Sequence, residues 1–141
     1  MNFLGVVMNV ADLDRSIDFY RQVLGFTLVS QEVQLAVIGV SSRDTSQAIV
    51  LRAFGSSPLV GAGHVGLRSF ILAAESADQL DRFESELESR RLLITRREHT
   101  EWTAVVGRDP DGVAVVVTWQ PGGATQDGWK VLDDFLYGIG E

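Results

Sequence analysis

His64 and His99 are the only imidazoles in the chain, and it contains no cysteine. Those two facts restrict the available chemistry before any element is considered. Without a thiol there is no cysteine nucleophile, no thiolate metal site and no disulfide framework. A tight site for a zinc-like ion needs three or four imidazole, thiolate or carboxylate donors converging on one point. The two histidines instead stand apart, in VGAGHVG (60–66) and REHTEW (97–102). His64 reads as a solvated loop residue, and His99, beside Thr100 and Glu101, as a surface residue at a strand end. The sequence has no GxSxG nucleophile elbow and no phosphate-binding P-loop. The VGAGHVG glycines do not lie between a strand and a helix, so they fail as a dinucleotide fingerprint. The acidic pairs Asp12/Asp14 and Asp133/Asp134 read as helix-capping and solvated carboxylates. What remains is RDPDGVAVVVT (108–118), a well-built turn running into an apolar strand that carries no reactive group.

The elements that would position any site come in two similar runs. FLGVVMNV (3–10) reads as a buried strand. After it, Leu13, Ile17, Tyr20 and Leu24 recur at helical spacing, with Asp12 as cap and Gly25 as stop. FTLVSQ (26–31), VQLAVIGV (33–40) and QAIVLRAF (47–54) read as strands, with a turn over 41–46. Residues 55–66 form the linker-like stretch, rich in glycine. LRSFILAA (67–74) then starts the order again. The helix SADQLDRFESELESR (76–90) follows, with a Ser76/Gln79 capping box, Leu80, Phe83 and Leu87 on one face, and Arg90 and Arg91 at its C-terminal end. LLITRREH (92–99), WTAVVGR (102–108) and VAVVVTW (113–119) complete it. QLAVIG at 34–39 lies over WTAVVG at 102–107, an offset of 102 − 34 = 68. The organisation is α+β: module 1 over 1–54, a linker over 55–66, module 2 over 67–120, and a C-terminal extension over 121–141. In that extension Trp129, Leu132, Phe135 and Leu136 mark the apolar face of a short helix.

Bulk properties narrow the partners. With 141 residues, 45% hydrophobic and 22% charged, the chain can bury a core without staples. The formal charge of −7 argues against nucleic acid, which needs basic clusters to displace counterions. It is compatible with a cationic ligand and serves solubility. The N-terminus has no basic n-region, and its apolar run meets Asp12 too early for a signal peptide or a membrane span. A cytoplasmic location and no membrane partner are therefore expected.

VADLDRSIDFYRQVLGF (10–26) resembles the opening signature of the vicinal oxygen chelate superfamily, which includes glyoxalase I, fosfomycin and bleomycin resistance proteins and extradiol dioxygenases. DPDG (109–112) resembles its second signature, and together they cover residues 1 to about 120. The resemblance implies two βαβββ modules forming a cupped, incomplete mixed β-barrel with helices outside and the ligand in the cup. It also implies a homodimer and, in metal-dependent relatives, a divalent ion held by His, Gln or Glu from the first and last strands of each module. Such an ion polarises two neighbouring substrate oxygens.

Matching those motifs residue by residue puts the four metal stations at Gly5, Val50 (or Leu51), Ser69 (or Leu67) and Val116. None offers an imidazole or a carboxylate, so the family's metal site is expected to be absent and no cofactor is expected. Residues two apart share a strand face. Val7 and Asn9, Ala48 and Arg52, Ile71 and Ala73, and Ala114 and Thr118 therefore join the stations in a small, mostly apolar lining. Asn9, Arg52, Ser69 and Thr118 supply its polar groups, and Trp102 is a candidate stacking platform. Arg52 could hold a carboxylate or phosphate of a ligand, or an internal acid.

Two functions stay open. One is a metal-independent binding protein of the bleomycin-resistance type, which sequesters an antibiotic or metabolite. The other is an enzyme, using either a metal relocated to His64 or metal-free polarisation by Arg52 and Ser69. Against the second, only Glu101 is a carboxylate near a strand that could act as a base.

Overall fold

The computed structural model describes residue 1 and residues 3–40, 47–54, 67 and 69–122. The expected C-terminal helix and the linker bearing His64 lie outside the described residues. The chain divides into two compact units, Met1–Leu59 and Val60–Glu141. Each holds one βαβββ module. In the first, β1 (Gly5–Val10), α1 (Leu13–Gln22), β2 (Thr27–Gln31), β3 (Leu35–Gly39) and β4 (Ala48–Ala53) follow in order. The second repeats this with β5 (Ser69–Ala73), α2 (Ala77–Ser89), β6 (Leu93–Glu98), β7 (Thr103–Arg108) and β8 (Ala114–Trp119). The sheets have the strand orders β1-β4-β3-β2 and β5-β8-β7-β6. In each, the first strand pairs in parallel with the last and the remaining pairs are antiparallel. Both sheets are open. The expected α+β class and the doubled module are thus present, with strand ends within a residue or two of those read from the sequence.

The helices begin where their caps dictate. Asp12 is extended, and its Oδ1 accepts the Arg15 amide at 3.0 Å. Ser76 accepts the Gln79 amide at 3.0 Å, while Gln79 Oε1 takes the Glu75 amide at 2.7 Å. That is a capping box whose return bond reaches one residue further back than usual. Helix α1 buries Leu13, Ile17, Phe19 and Tyr20, and the Tyr20 hydroxyl meets Met8 Sδ at 3.8 Å. Helix α2 buries Leu80, Phe83 and Leu87.

Those contacts fix which strand face each helix covers. Met8, Val10, Ala36, Ile38, Ile49 and Leu51 are all buried on the side of Met8 and α1. Gly5, Val7 and Asn9 pair with Ala48, Val50 and Arg52 on the opposite, helix-free face. In module 2, a Cβ on Gly107 would meet Leu87 of α2, so Val105, Val115 and Val117 share the helix side. Ala104, Val106, Val116 and Ile71 form an apolar cluster on the other face.

The repeat in space differs from the repeat in letters. QLAVIG laid over WTAVVG matches Gly39 with Gly107. Yet Gly39 pairs with Ala48 on the helix-free face, whereas Gly107 faces α2. A slip of one residue reverses every side chain in a strand, so the lettered match is out of phase with the duplicated fold. A better mark of duplication is structural. Both modules break register in the second strand, between Leu28 and Ser30 and between Leu93 and Thr95. The extra residues, Val29 and Ile94, are both exposed.

Candidate functional site

The turn that precedes the last strand is a self-contained piece of engineering in hydrogen bonds. Asp109 is 1% exposed, and its Oδ1 accepts the Asp111 amide at 2.9 Å and the Val113 amide at 2.8 Å. Gly112 takes φ +91° and donates to the Asp109 carbonyl at 3.0 Å. Arg108 Nη1 donates to the Gly112 carbonyl at 2.9 Å. A carboxylate holding two amides makes charge-assisted bonds stronger than neutral ones. The DPDG motif therefore aims the chain into β8; its first Asp is structural.

β8 and three other strands carry the four positions that the family resemblance assigns to metal ligands. Gly5 and Val50 lie on the helix-free face of module 1, and Leu51 is fully buried on the other side. Ser69 and Val116 lie on the helix-free face of module 2, Ser69 opposite Ala114 and Val116 opposite Ile71. Leu67, two residues before Ser69, precedes β5 and is exposed. At Gly5 the fit fails sterically as well as chemically, because a Cβ there would collide with the Ala48 carbonyl oxygen. Among the described residues no group of three His, Cys, Asp or Glu is placed to hold a metal. The residues at these four positions do not fit a divalent ion of the kind that the resemblance implies for metal-dependent relatives.

Of the polar residues expected to line a site, Asn9 and Arg52 belong to module 1, and Ser69, Thr118 and the stacking candidate Trp102 to module 2. Asn9 and Arg52 are register partners on β1 and β4, and both are exposed. The Arg52 guanidinium carbon lies 5.5 Å from the Phe54 ring centroid, a cation–π distance. Ser69 is half-buried at the start of β5. Thr118 is 1% exposed and its hydroxyl donates to the Leu72 carbonyl at 3.3 Å, so its proton is already engaged. Trp102 precedes β7 and is 8% exposed, packed with Ala104, Val106 and Val116. His99 stacks on it, with centroids 5.1 Å apart and rings inclined by 9°. One face of the tryptophan is therefore occupied by the chain's own imidazole. The His99 Nδ1 accepts the Glu101 amide at 3.3 Å, and Glu101 itself sits exposed in the β6–β7 turn.

Sequence reasoning missed Leu35 and Val37, which pair with Arg52 and Val50 and lie on the same helix-free face. It also missed Phe54 as the partner of Arg52. Period-2 alternation along VQLAVIGV would have found the first two; nothing local marks the third.

The family profile described as Glyoxalase/Bleomycin resistance protein/Dioxygenase superfamily matches residues 3–117. Among curated proteins none matches the chain. A glyoxylase/bleomycin resistance protein/dioxygenase domain from Frankia sp. EAN1pec is 22% identical with a TM-score of 0.73, covering 88% of this chain and 95% of that one. A lactoylglutathione lyase from Agrobacterium tumefaciens is 24% identical with a TM-score of 0.62, covering 84% and 92%. A genomically encoded fosfomycin resistance protein from Listeria monocytogenes is 11% identical with a TM-score of 0.66, covering 86% and 95%. At such identities the likeness is one of fold.

Proposed function

The chain belongs to the glyoxalase/bleomycin resistance protein/dioxygenase superfamily, and from that premise we propose that it is a metal-independent small-molecule binding protein. In this reading it sequesters an antibiotic or metabolite on the helix-free faces of its sheets. One observation carries it. The four positions that would supply metal ligands are Gly5, Val50, Ser69 and Val116, and the backbone at Gly5 leaves no room for a side chain. An open-sided divalent ion is the superfamily's means of polarising paired oxygens; a chain built without its donors retains shape and apolar surface for binding. Fold alone cannot choose the chemistry, because one fold hosts many functions. The same reading expects a homodimer in solution, which light scattering would measure.

The deciding experiment is a thermal melt of metal-stripped protein against Zn²⁺, Ni²⁺, Mn²⁺ and Fe²⁺, with bound metal quantified. The expected result is no stoichiometric metal and no shift in melting temperature. A stoichiometric ion that raises the melting temperature would overturn the proposal and make His64 the first residue to replace.

A further inference from the structure

Three arginines of this chain show what a committed guanidinium looks like here. Arg96 pairs with Asp81, Glu84 and Glu98, Arg90 with Glu86, and Arg108 with the Gly112 carbonyl. Arg52 differs. It stands near the C-terminal end of β4, on a sheet face that also carries Val7, Leu35, Val37 and Val50. Among the described residues no carboxylate pairs with it; its one contact of note is the Phe54 ring at 5.5 Å. That contact takes no donor from the guanidinium, since a cation–π interaction uses charge and leaves the N–H groups free. Directly across the parallel β1–β4 pair, Asn9 offers an exposed side-chain amide.

We infer that this face of module 1 is a binding site for an organic anion, an apolar body carrying a carboxylate or a phosphate. The inference deepens the metal-independent binding function proposed above and rests on it. Arg52 takes the anion through its planar fork of donors, and the Asn9 amide donates to a remaining anion oxygen. Val7, 65% exposed, with Val50 and Leu35 receives the apolar body. The chain's charge of −7 does not prevent this. Charges further than a Debye length of about 8 Å are largely screened at physiological salt, so the nearest guanidinium decides. A cationic ligand, which the net charge alone suggested, would meet Arg52 as a like charge on this face.

The test uses the full chain with three probes of one shape: 1-naphthylacetate, 1-naphthyl phosphate and the neutral 1-naphthylacetamide. Affinities are measured for the wild type, Arg52→Gln and Arg52→Lys, with backbone amide shifts mapped by NMR. A charged hydrogen bond is worth roughly tenfold or more in affinity. At least one anion should therefore bind about tenfold tighter than the amide, with shifts in β1 and β4, and whichever anion wins identifies the headgroup. Arg52→Gln should erase that preference, and Arg52→Lys should keep part of it. Equal affinity for anions and amide in the wild type, or a preference that survives Arg52→Gln, overturns the anion site and leaves the binding function standing. If none of the three probes binds, the anion site falls, and the metal-stripped melt decides the binding function separately.

Discussion

Gly107 of β7 lies beneath Leu87 of α2 so closely that a Cβ on residue 107 would come within 2.5 Å of both Leu87 methyl carbons. Leu87 is fully buried, so it cannot swing into solvent to make room. Gly107→Ala should overpack this contact and cost about 1–3 kcal/mol, read as a lower urea midpoint. Gly107→Ala combined with Leu87→Ala should recover part of the loss relative to Leu87→Ala alone, because the methyl then fills a void. A Gly107→Ala protein as stable as wild type would show that α2 does not bear on the sheet here.

Asp109 should be essential to the second module's stability while being irrelevant to any chemistry. Asp109→Ala leaves two half-buried amides without this acceptor and should destabilise by about 1–3 kcal/mol. Asp109→Asn keeps one oxygen in place and should cost less. Chemical denaturation monitored by tryptophan fluorescence, with Trp102 and Trp119 in this module, measures both. Equal stabilities for the three proteins would remove the clamp from the account.

Arg91 adopts φ +59° just beyond the end of α2, with the Leu92 amide bonded to the Leu87 carbonyl at 2.9 Å. This is the left-handed position that closes a helix and favours glycine. An L side chain there costs about 1 kcal/mol. Arg91→Gly should therefore raise the melting temperature although it removes a charge. A fall would indicate that the Arg91 side chain contributes more than its backbone strain.

Arg96 joins β6 to α2 by bonding Asp81 and Glu84, with Glu98 alongside. The Glu84 hydrogen bond is the largest cause of its raised pKa, opposed by desolvation, so the group stays charged throughout the working pH range. Surface ion pairs are weak and screened. Arg96→Met should cost about 0.5–1 kcal/mol at low salt and less in high salt, measured by denaturant titration at two ionic strengths. A salt-independent loss would assign its effect to packing of the side-chain stem instead.

Gly5→Ala should disturb the β1–β4 pair, because the Ala48 carbonyl oxygen occupies the place of the new methyl. Restoring donors by Gly5→His with Val50→Glu, Ser69→His and Val116→Glu should consequently fail to create a stoichiometric divalent site. Isothermal titration with Zn²⁺ checks this; tight binding at one ion per chain would show that the backbone yields.

The sequence by itself determined the parts. Asp12 and Ser76 start the helices, apolar spacing gives each helix its buried stripe, and short apolar runs between turns give the strands twice over. Those signals are local, resting on caps, periodicity and breakers within a few residues. Only the tertiary structure decided which way each strand residue looks. In AVVVT, at 114–118, nearly every residue is apolar, so no alternation in the letters separates Val116, on the helix-free side, from Val115 and Val117, against α2. Likewise the letters could not choose between Val50 and Leu51, nor reveal that Gly39 and Gly107 face opposite ways. Facing is fixed by pairing across strands distant in sequence and by which side a helix covers. The same holds for Thr118, whose hydroxyl is engaged by a carbonyl 46 residues away, and for Arg52, set beside Asn9 by a parallel pairing that no local pattern announces.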